Sequence, residues 1–365
     1  MTLEVTTLTD GGQQPAAVAA KLAGFLGGAQ RTLDLALYDL QLSPPVAATI
    51  ADAIRSAHAK GVTVRIAYNV DHRKDVPVPP PPKLDRPLVE SLGVPTKPIP
   101  GVPDLMHHKY VVRDGAHVWT GSTNWTDDSW SREENVIVTV DSPHIAADFT
   151  RDFEQLWSRE EVLGTGEFDP DPDTVGNAKV QPWFSPGRGR RIAHRIATAL
   201  GRADRRIRIA SPVLTSGPIL ATLTEIATSR SVDMAGVLDA TQMQEVHGQW
   251  KRDANTGWKV PTAASLLENA PFSGKRSTPY GPGTVHDYMH AKITVADDVV
   301  FVGSYNLSHS GEENAENVLE ILDPELADRM AAFIDNIRSR YPAFGGTDFA
   351  GASLRERPNA PNRGP

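Results

Sequence analysis

The sequence contains no cysteine among its 365 residues. This absence excludes disulfide bonds, thiolate nucleophiles and cysteine-ligated metals. It leaves the compartment open, because such a chain folds equally well in reducing and oxidising surroundings. Also missing are an apolar run of about 18 residues, which a membrane-spanning helix would need, and a basic segment followed by an apolar run at the start. We therefore expect no spanning helix, no signal peptide and a cytoplasmic protein; the sequence leaves open whether it contacts a membrane, and such contact would be peripheral.

An excess of positive charge is absent as well. The net charge is −8 and the isoelectric point about 5.8, with 40% hydrophobic and 22% charged residues. These fractions are typical of a globular protein, whereas a dedicated nucleic-acid binder is usually basic. The acidic total disfavours such a binder but is compatible with a local basic cleft.

The most informative feature is a motif that occurs twice. Residues 107–124 and residues 290–306 each read H-x-K-x4-D, then a short gap and G-S-x-N. A Glu-Asn-Val match follows each copy, at residues 134–136 and 316–318, with a spacing that differs by one residue. Repetition of the whole pattern in the same order is hard to obtain by chance. The candidate site residues are His107, Lys109, Asp114, Ser122, Asn124 and Glu134 in the first copy, and His290, Lys292, Asp297, Ser304, Asn306 and Glu316 in the second.

This residue set suits cleavage of a phosphodiester. Histidine and lysine two positions apart on a strand point to the same face. The lysines and asparagines can hold the non-bridging oxygens and stabilise developing charge. One histidine can attack phosphorus to form a phosphohistidine, while the other protonates the leaving oxygen and then activates water or an alcohol. From the residues alone, either histidine can take either role, and the lysines supply the positive charge, so we expect no metal or other cofactor.

The duplicated motif resembles that of the phospholipase D superfamily, the HKD phosphodiesterases. The resemblance implies that His107 is the nucleophile and His290 the acid and base. It also implies that the carboxylates of Glu134 and Glu316 orient the histidines, and that Asp114 and Asp297 are mainly structural.

The resemblance and the element order predict the same fold class, α/β with two similar halves. Each half is expected to have a mixed sheet flanked by helices, related to the other by a pseudo-twofold axis, because the strand–helix order of residues 3–68 restarts near residue 180. The predicted boundaries are 1–160 for the first half, 161–176 for a linker, 177–344 for the second half and 345–365 for a disordered tail. Residues 240–285 are expected to be irregular, and Pro79–Pro82 to form a stiff loop beside the cleft.

Three functions remain open from the sequence. The first is a monomeric phosphodiesterase acting on a phospholipid, favoured by two motifs in one chain and by the acidic charge. The second is a nuclease for single-stranded or damaged nucleic acid, which a basic cleft with aromatic platforms would favour. The third is a non-catalytic phosphate-binding scaffold, for which a decayed motif would be expected, whereas both motifs are intact.

Overall fold

The computed structural model describes residues 1–72, 84–279, 281 and 284–350; the Pro79–Pro82 run lies outside them. The chain forms two α/β halves. The elements of the first half are β1 (Leu3–Leu8), α1 (Pro15–Gly27), β2 (Thr32–Leu37), β3 (Leu40–Gln41), α2 (Pro44–Ala59), β4 (Thr63–Val70), α3 (Arg86–Ser91), β5 (Thr96–Pro100), β6 (Lys109–Arg113), β7 (His117–Gly121), β8 (Trp125–Thr126), α4 (Asp127–Ser131), β9 (Asn135–Asp141) and α5 (Pro143–Arg159).

The second half repeats much of this order. Its elements are β10 (Asp173–Val175), β11 (Ala178–Ser185), α6 (Gly189–Gly201), β12 (Arg206–Ser211), α7 (Gly217–Ser229), β13 (Asp233–Asp239), α8 (Ala240–Trp250), α9 (Lys259–Asn269), β14 (Phe272–Lys275), β15 (Ile293–Ala296), β16 (Val299–Gly303), α10 (His309–Glu313), β17 (Glu316–Leu322), α11 (Pro324–Ser339) and α12 (Gly346–Ala350).

The two large sheets have the same strand order. The first runs β1-β9-β7-β6-β2-β4-β5, and the second β10-β11-β17-β16-β15-β12-β13-β14. Without β10 at its edge, the second sheet matches the first strand for strand. In each sheet three strands are parallel, and the motif strands β6 and β15 pair antiparallel with β2 and β12. The predicted fold class of two similar mixed-sheet halves is therefore confirmed.

Helices α5 and α11 lie between the two sheets. Their apolar residues recur at helical spacing, as in Phe149, Phe153 and Leu156 of α5, and join strands of both sheets in one buried cluster. Helices α1 and α2 cover the outer face of the first sheet, and α6 and α7 that of the second. The halves thus share a core, and the edge at which their motif strands meet has a fixed geometry.

Three segments differ from the sequence-based expectations. Residues 161–176, expected to be a linker, contribute the edge strand β10 and buried residues such as Phe168 to the shared core. Residues 240–285, expected to be irregular, contain α8, α9 and β14, since tertiary packing compensates for a weak local pattern. Residues 346–350 of the expected tail form α12, whose Phe349 is fully buried.

Among the described residues, no helix combines the length and apolar character needed to cross a bilayer.

Candidate active site

Each motif hairpin is fixed to its sheet by the aspartate at its turn. Asp114 adopts a left-handed backbone conformation with φ of 57° and accepts hydrogen bonds from the backbone amides of residues 30–32. Asp297 does the same with φ of 51° and the amides of residues 204–206. Aspartate tolerates this conformation better than most residues. Both aspartate side chains therefore stabilise the hairpin turn, which lies at the end of the motif strand farther from the histidine.

The histidine end of each motif strand meets the other half of the chain. The backbone amide of His107 donates to the carbonyl of Ala315 over 2.9 Å, and that of His290 to the carbonyl of Glu134 over 3.1 Å. Both contacts cross the boundary between halves at equivalent places. Both histidines are buried, with exposed fractions of 6% for His107 and 9% for His290. Together with the contacts across the boundary, this brings the two motifs into one site at the interface.

His107 lies against a carboxylate of the opposite half. Its Nδ1 atom is 2.8 Å from Oε2 of Glu316. When Glu316 is ionised, its carboxylate only accepts hydrogen bonds, so Nδ1 of His107 carries the proton and Nε2 is left for other chemistry. Burial, reinforced by the charges of Lys109 and Lys292, lowers the pKa of His107 well below its usual value. Burial raises the pKa of Glu316 to about 7.

His290 has a different partner, the amide of Asn135. Its Nδ1 atom is 3.0 Å from Oδ1 of Asn135 and 3.5 Å from the nearer oxygen of Glu133. The strand registers explain the difference: Gly121 pairs with Ile137 and Gly303 with Val318, so Asn135 corresponds to Glu316. Burial also lowers the pKa of His290 well below its usual value.

The expectation that the carboxylate of Glu134 orients His290 is therefore wrong, because the Glu134 side chain contacts other residues. The Glu134 side chain is fully buried and makes an ion pair of 2.9 Å with Lys275, and its other oxygen accepts a hydrogen bond from Tyr341. Lys275 also lies 3.2 Å from Asp10. The neighbouring Glu133, one residue earlier, provides the carboxylate near His290. Glu134 instead joins the two halves through a buried polar cluster.

The two motif lysines lie in the same buried region. Nζ of Lys109 donates to the carbonyl of His107 over 2.5 Å and lies 4.6 Å from the ring centroid of Tyr38. Nζ of Lys292 donates to the carbonyl of His290 over 2.7 Å. Burial lowers the pKa of Lys109 well below its usual value and that of Lys292 to about 7. An incoming phosphate anion would raise both pKa values and so favour the charged ammonium groups.

The serines and asparagines of the motif have different surroundings. Oγ of Ser122 donates to Asn135 over 2.7 Å, and Oγ of Ser304 accepts from the backbone amide of Asn317 over 3.0 Å. Asn124 is buried, and its Oδ1 has no hydrogen-bond partner within the described part of the chain. Asn306 is partly exposed. Both serines thus support the residues beside the histidines.

Sequence reasoning missed four further groups near the site. The ring of Tyr38 packs edge-on against His107 with centroids 4.4 Å apart. His286 contacts Glu133, and the buried Asp39, whose pKa is raised to about 6 by burial, is close enough to interact with His286. Tyr38 and Asp39 directly follow β2, which pairs with the motif strand β6. That position next to the motif is the sequence feature that could have identified them as site residues.

The comparison with protein families settles which family the chain is part of. A model described as "Cardiolipin synthase, PLD-like domain" matches residues 22–157 and 196–338. These segments cover most of the chain, one in each half, and each includes a complete motif. The chain belongs to this phospholipase D-like family. The resemblance inferred from the motifs is thus confirmed.

Curated relatives and a solved structure agree with this membership. The chain is 33% identical over 152 residues to "Mitochondrial cardiolipin hydrolase" of Xenopus laevis, covering 41% of this chain and 62% of that protein. It is 26% identical over 138 residues to the protein of the same name from Chlamydomonas reinhardtii, covering 38% and 56%. The match spans less than two thirds of either relative's length.

The solved structure is that of phosphatidylserine synthase from Haemophilus influenzae Rd KW20. It matches with a TM-score of 0.65 over 93% of this chain and 87% of that chain, at 11% identity. At that identity the likeness shows the shared two-halved fold.

Proposed function

We propose that the chain is a phospholipase D-type phosphodiesterase that cleaves or transfers the phosphodiester of a phospholipid through a phosphohistidine. The observation that carries the proposal is the pairing of His107 with Glu316 at 2.8 Å, in a buried region that also holds His290 and both motif lysines. A protonated Nδ1 directs the Nε2 lone pair of His107 toward substrate. The carboxylate then stabilises the positive charge that the ring acquires when it bonds to phosphorus.

In the first step, Nε2 of His107 attacks phosphorus, a phosphorus–nitrogen bond forms, and the bond to the leaving alcohol breaks. His290 donates a proton to the leaving oxygen. In the second step, His290 takes a proton from water or an acceptor alcohol, whose oxygen displaces His107 from phosphorus. Lys109 and Lys292 hold the non-bridging oxygens throughout, and the buried Asn124 supplies a further donor. Arrival of the anionic diester raises the pKa of His290, so it is protonated when it acts as the acid.

Two features support a lipid substrate. The curated relatives are named for the hydrolysis of cardiolipin. In addition, Val102 and Val285 are 51% and 49% exposed, and each stands five residues before its motif histidine. Because the two valines have the same spacing from the two motif histidines, we infer that they give the site an exposed apolar residue on each side. This arrangement suits peripheral contact with a bilayer.

The test is a direct comparison of substrates in EDTA. The chain is incubated with phospholipid vesicles plus ethanol and, separately, with single-stranded DNA, and His107→Ala is the control. We expect phosphatidic acid and phosphatidylethanol, and neither product with the variant. Cleavage of DNA with untouched lipid would replace the lipid assignment by the nuclease one. Activity that survives in His107→Ala would contradict the role of His107.

A further inference from the structure

His290 lacks a directly bonded carboxylate, and the residues behind Asn135 compensate for this. Oδ1 of Asn135 receives the Nδ1 proton of His290 and the hydroxyl proton of Ser122. Its amide nitrogen donates to Glu133 over 3.0 Å. Both ends of the Asn135 amide are therefore fixed by chemistry, with oxygen toward His290 and nitrogen toward a carboxylate.

Glu133 lies between two histidines. Its side chain is 1% exposed, accepts a hydrogen bond of 2.6 Å from Ser129, and is 3.5 Å from Nδ1 of His290. Its other oxygen is 3.3 Å from Nε2 of His286. Burial raises the pKa of Glu133, and the positive charge of His286 opposes that rise. A buried carboxylate needs compensation to keep its charge; here His286 contributes most, followed by the hydrogen bonds from Ser129 and Asn135 and the charge of Lys292.

His286 is placed to be that partner. Nδ1 of His286 lies 2.9 Å from Oδ2 of Asp128, whose carboxylate also accepts the backbone amide of His286. With a carboxylate at each ring nitrogen, the ring satisfies both only as the doubly protonated cation. Burial lowers the pKa of His286, but Asp128 and Glu133, helped by Asp39, outweigh it and raise the pKa above its usual value.

The groups that face His286 come from several parts of the fold. They are Asp39 after β2, Asp128 in α4, Glu133 before β9, Tyr288 on the same segment, and His290. The first half differs at the matching positions. Four residues before His107 the chain has Pro103, and the residue that corresponds to Glu133 is Asn314, which binds the amide of Leu105.

We propose that His286, anchored by Asp128, is a positioning residue that keeps Glu133 ionised beside His290. The ionised carboxylate of Glu133 thereby gives the second histidine, through Asn135, the negative charge that Glu316 gives His107 directly. The inference rests on the proposed function, because it concerns how His290 protonates the leaving group.

The test uses leaving groups of different basicity. An alkyl alcohol needs the proton of His290 in order to leave, whereas 4-nitrophenolate does not. In single turnovers at pH 7, we expect His286→Gln and Glu133→Gln to slow phosphoenzyme formation from an alkyl diester about 30-fold, and from the 4-nitrophenyl diester by less than about 3-fold. His117→Gln, which removes a histidine–aspartate pair remote from the site, should change neither rate. Equal slowing of both substrates, or of neither, would overturn the proposal.

A double variant tests whether His286 acts through Glu133. Adding His286→Gln to Glu133→Gln should slow the alkyl reaction by no more than about 2-fold further. Multiplication of the two effects would show that His286 acts independently and would overturn the proposal. If His286→Gln does not fold, Asp128→Asn replaces it, because this change leaves the ring in place and removes one of its two carboxylates. It should give the same leaving-group pattern.

An NMR titration of the His290 ring separates this inference from the proposed function. We expect Glu133→Gln to lower the pKa of His290, because the carboxylate at 3.5 Å is lost. If the wild type forms no phosphoenzyme from any diester but this shift appears, the proposed function fails and the positioning role stands. If the wild type turns over and the titration of His290 is unchanged in Glu133→Gln, the positioning role fails.

Discussion

Asn135 and Glu316 occupy equivalent positions in the two halves, and each is the partner of the histidine that belongs to the other half. Oε2 of Glu316 lies 2.8 Å from Nδ1 of His107, and Oδ1 of Asn135 lies 3.0 Å from Nδ1 of His290. A carboxylate stabilises a cationic ring more than an amide does. The two halves of a duplicated fold are therefore chemically unequal at the positions where the proposed reaction needs a nucleophile and an acid.

Replacing Glu316 by Gln should weaken nucleophilic attack. The amide can still accept a hydrogen bond from Nδ1 of His107, but it no longer offsets the charge on the phosphorylated ring. We expect phosphoenzyme formation to fall about 100-fold or more, measured by rapid quench with a labelled diester. Glu313→Gln, on the exposed surface of α10, is the matched control. A rate within a few-fold of wild type would show that the carboxylate has no part in the step.

The same substitution should stabilise the protein at alkaline pH. Because the pKa of Glu316 is raised to about 7 by burial, its ionisation costs more in the folded protein than in the unfolded chain. That cost appears as the pH rises through the ordinary value near 4.5 and is complete above about pH 7. In denaturant titrations, we expect the free energy of unfolding of Glu316→Gln to exceed that of the wild type by about 3 kcal/mol at pH 8 and to match it at pH 4. Equal stability at both pH values would contradict the raised pKa.

Asp114→Ala should destabilise the first motif hairpin without removing the chemistry. The change leaves the amides of residues 30–32 without their acceptor and puts alanine at a positive φ. We expect a loss of about 2–4 kcal/mol in the free energy of unfolding, with kcat of the folded protein within a few-fold of wild type. Asp114→Asn, which keeps one acceptor and tolerates the conformation, should lose less. A large drop in kcat at full folding would assign Asp114 to the reaction itself.

Charging the apolar pair beside the site should weaken membrane contact. Val102→Asp together with Val285→Asp places two carboxylates where the proposal puts lipid. We expect weaker binding to phosphatidylcholine vesicles in a flotation assay and a higher KM on vesicles, with unchanged turnover of a short-chain soluble diester. Leu163→Asp, at another exposed apolar position, is the control. Binding unchanged by the double substitution would remove the valines from the contact.

The fold could be predicted from the sequence because the duplication repeats whole elements as well as motif letters. The site could be predicted only in part. The Glu-Asn-Val matches suggest that Glu134 corresponds to Glu316, but the hairpin register makes Asn135 the counterpart and turns Glu134 toward Lys275. Aligning the two motif copies by residue identity cannot decide whether Glu133 or Glu134 lies near the histidine, because the turns that connect the strands differ in length between the copies.

The role of His286 could not be predicted from the sequence, for a different reason. It lies in a segment without a regular pattern, and its importance comes from a contact with Glu133, far away in the chain. Such a contact depends on how the two halves pack, which no local spacing encodes. Tyr38 is different, because its ring lies against His107 within the first half, at the end of a strand that pairs with the motif strand.

The central claim is that the two histidines divide the reaction, with His107 carrying the phosphoryl group. The most direct test is to mix the chain with a labelled phospholipid, quench in alkali, which preserves phosphohistidine, and map the labelled residue by mass spectrometry. The account predicts label on His107, accumulation of that label in His290→Asn with a 4-nitrophenyl diester, and no label in His107→Asn. Label on His290 in the wild type, or turnover without any labelled histidine, would contradict it.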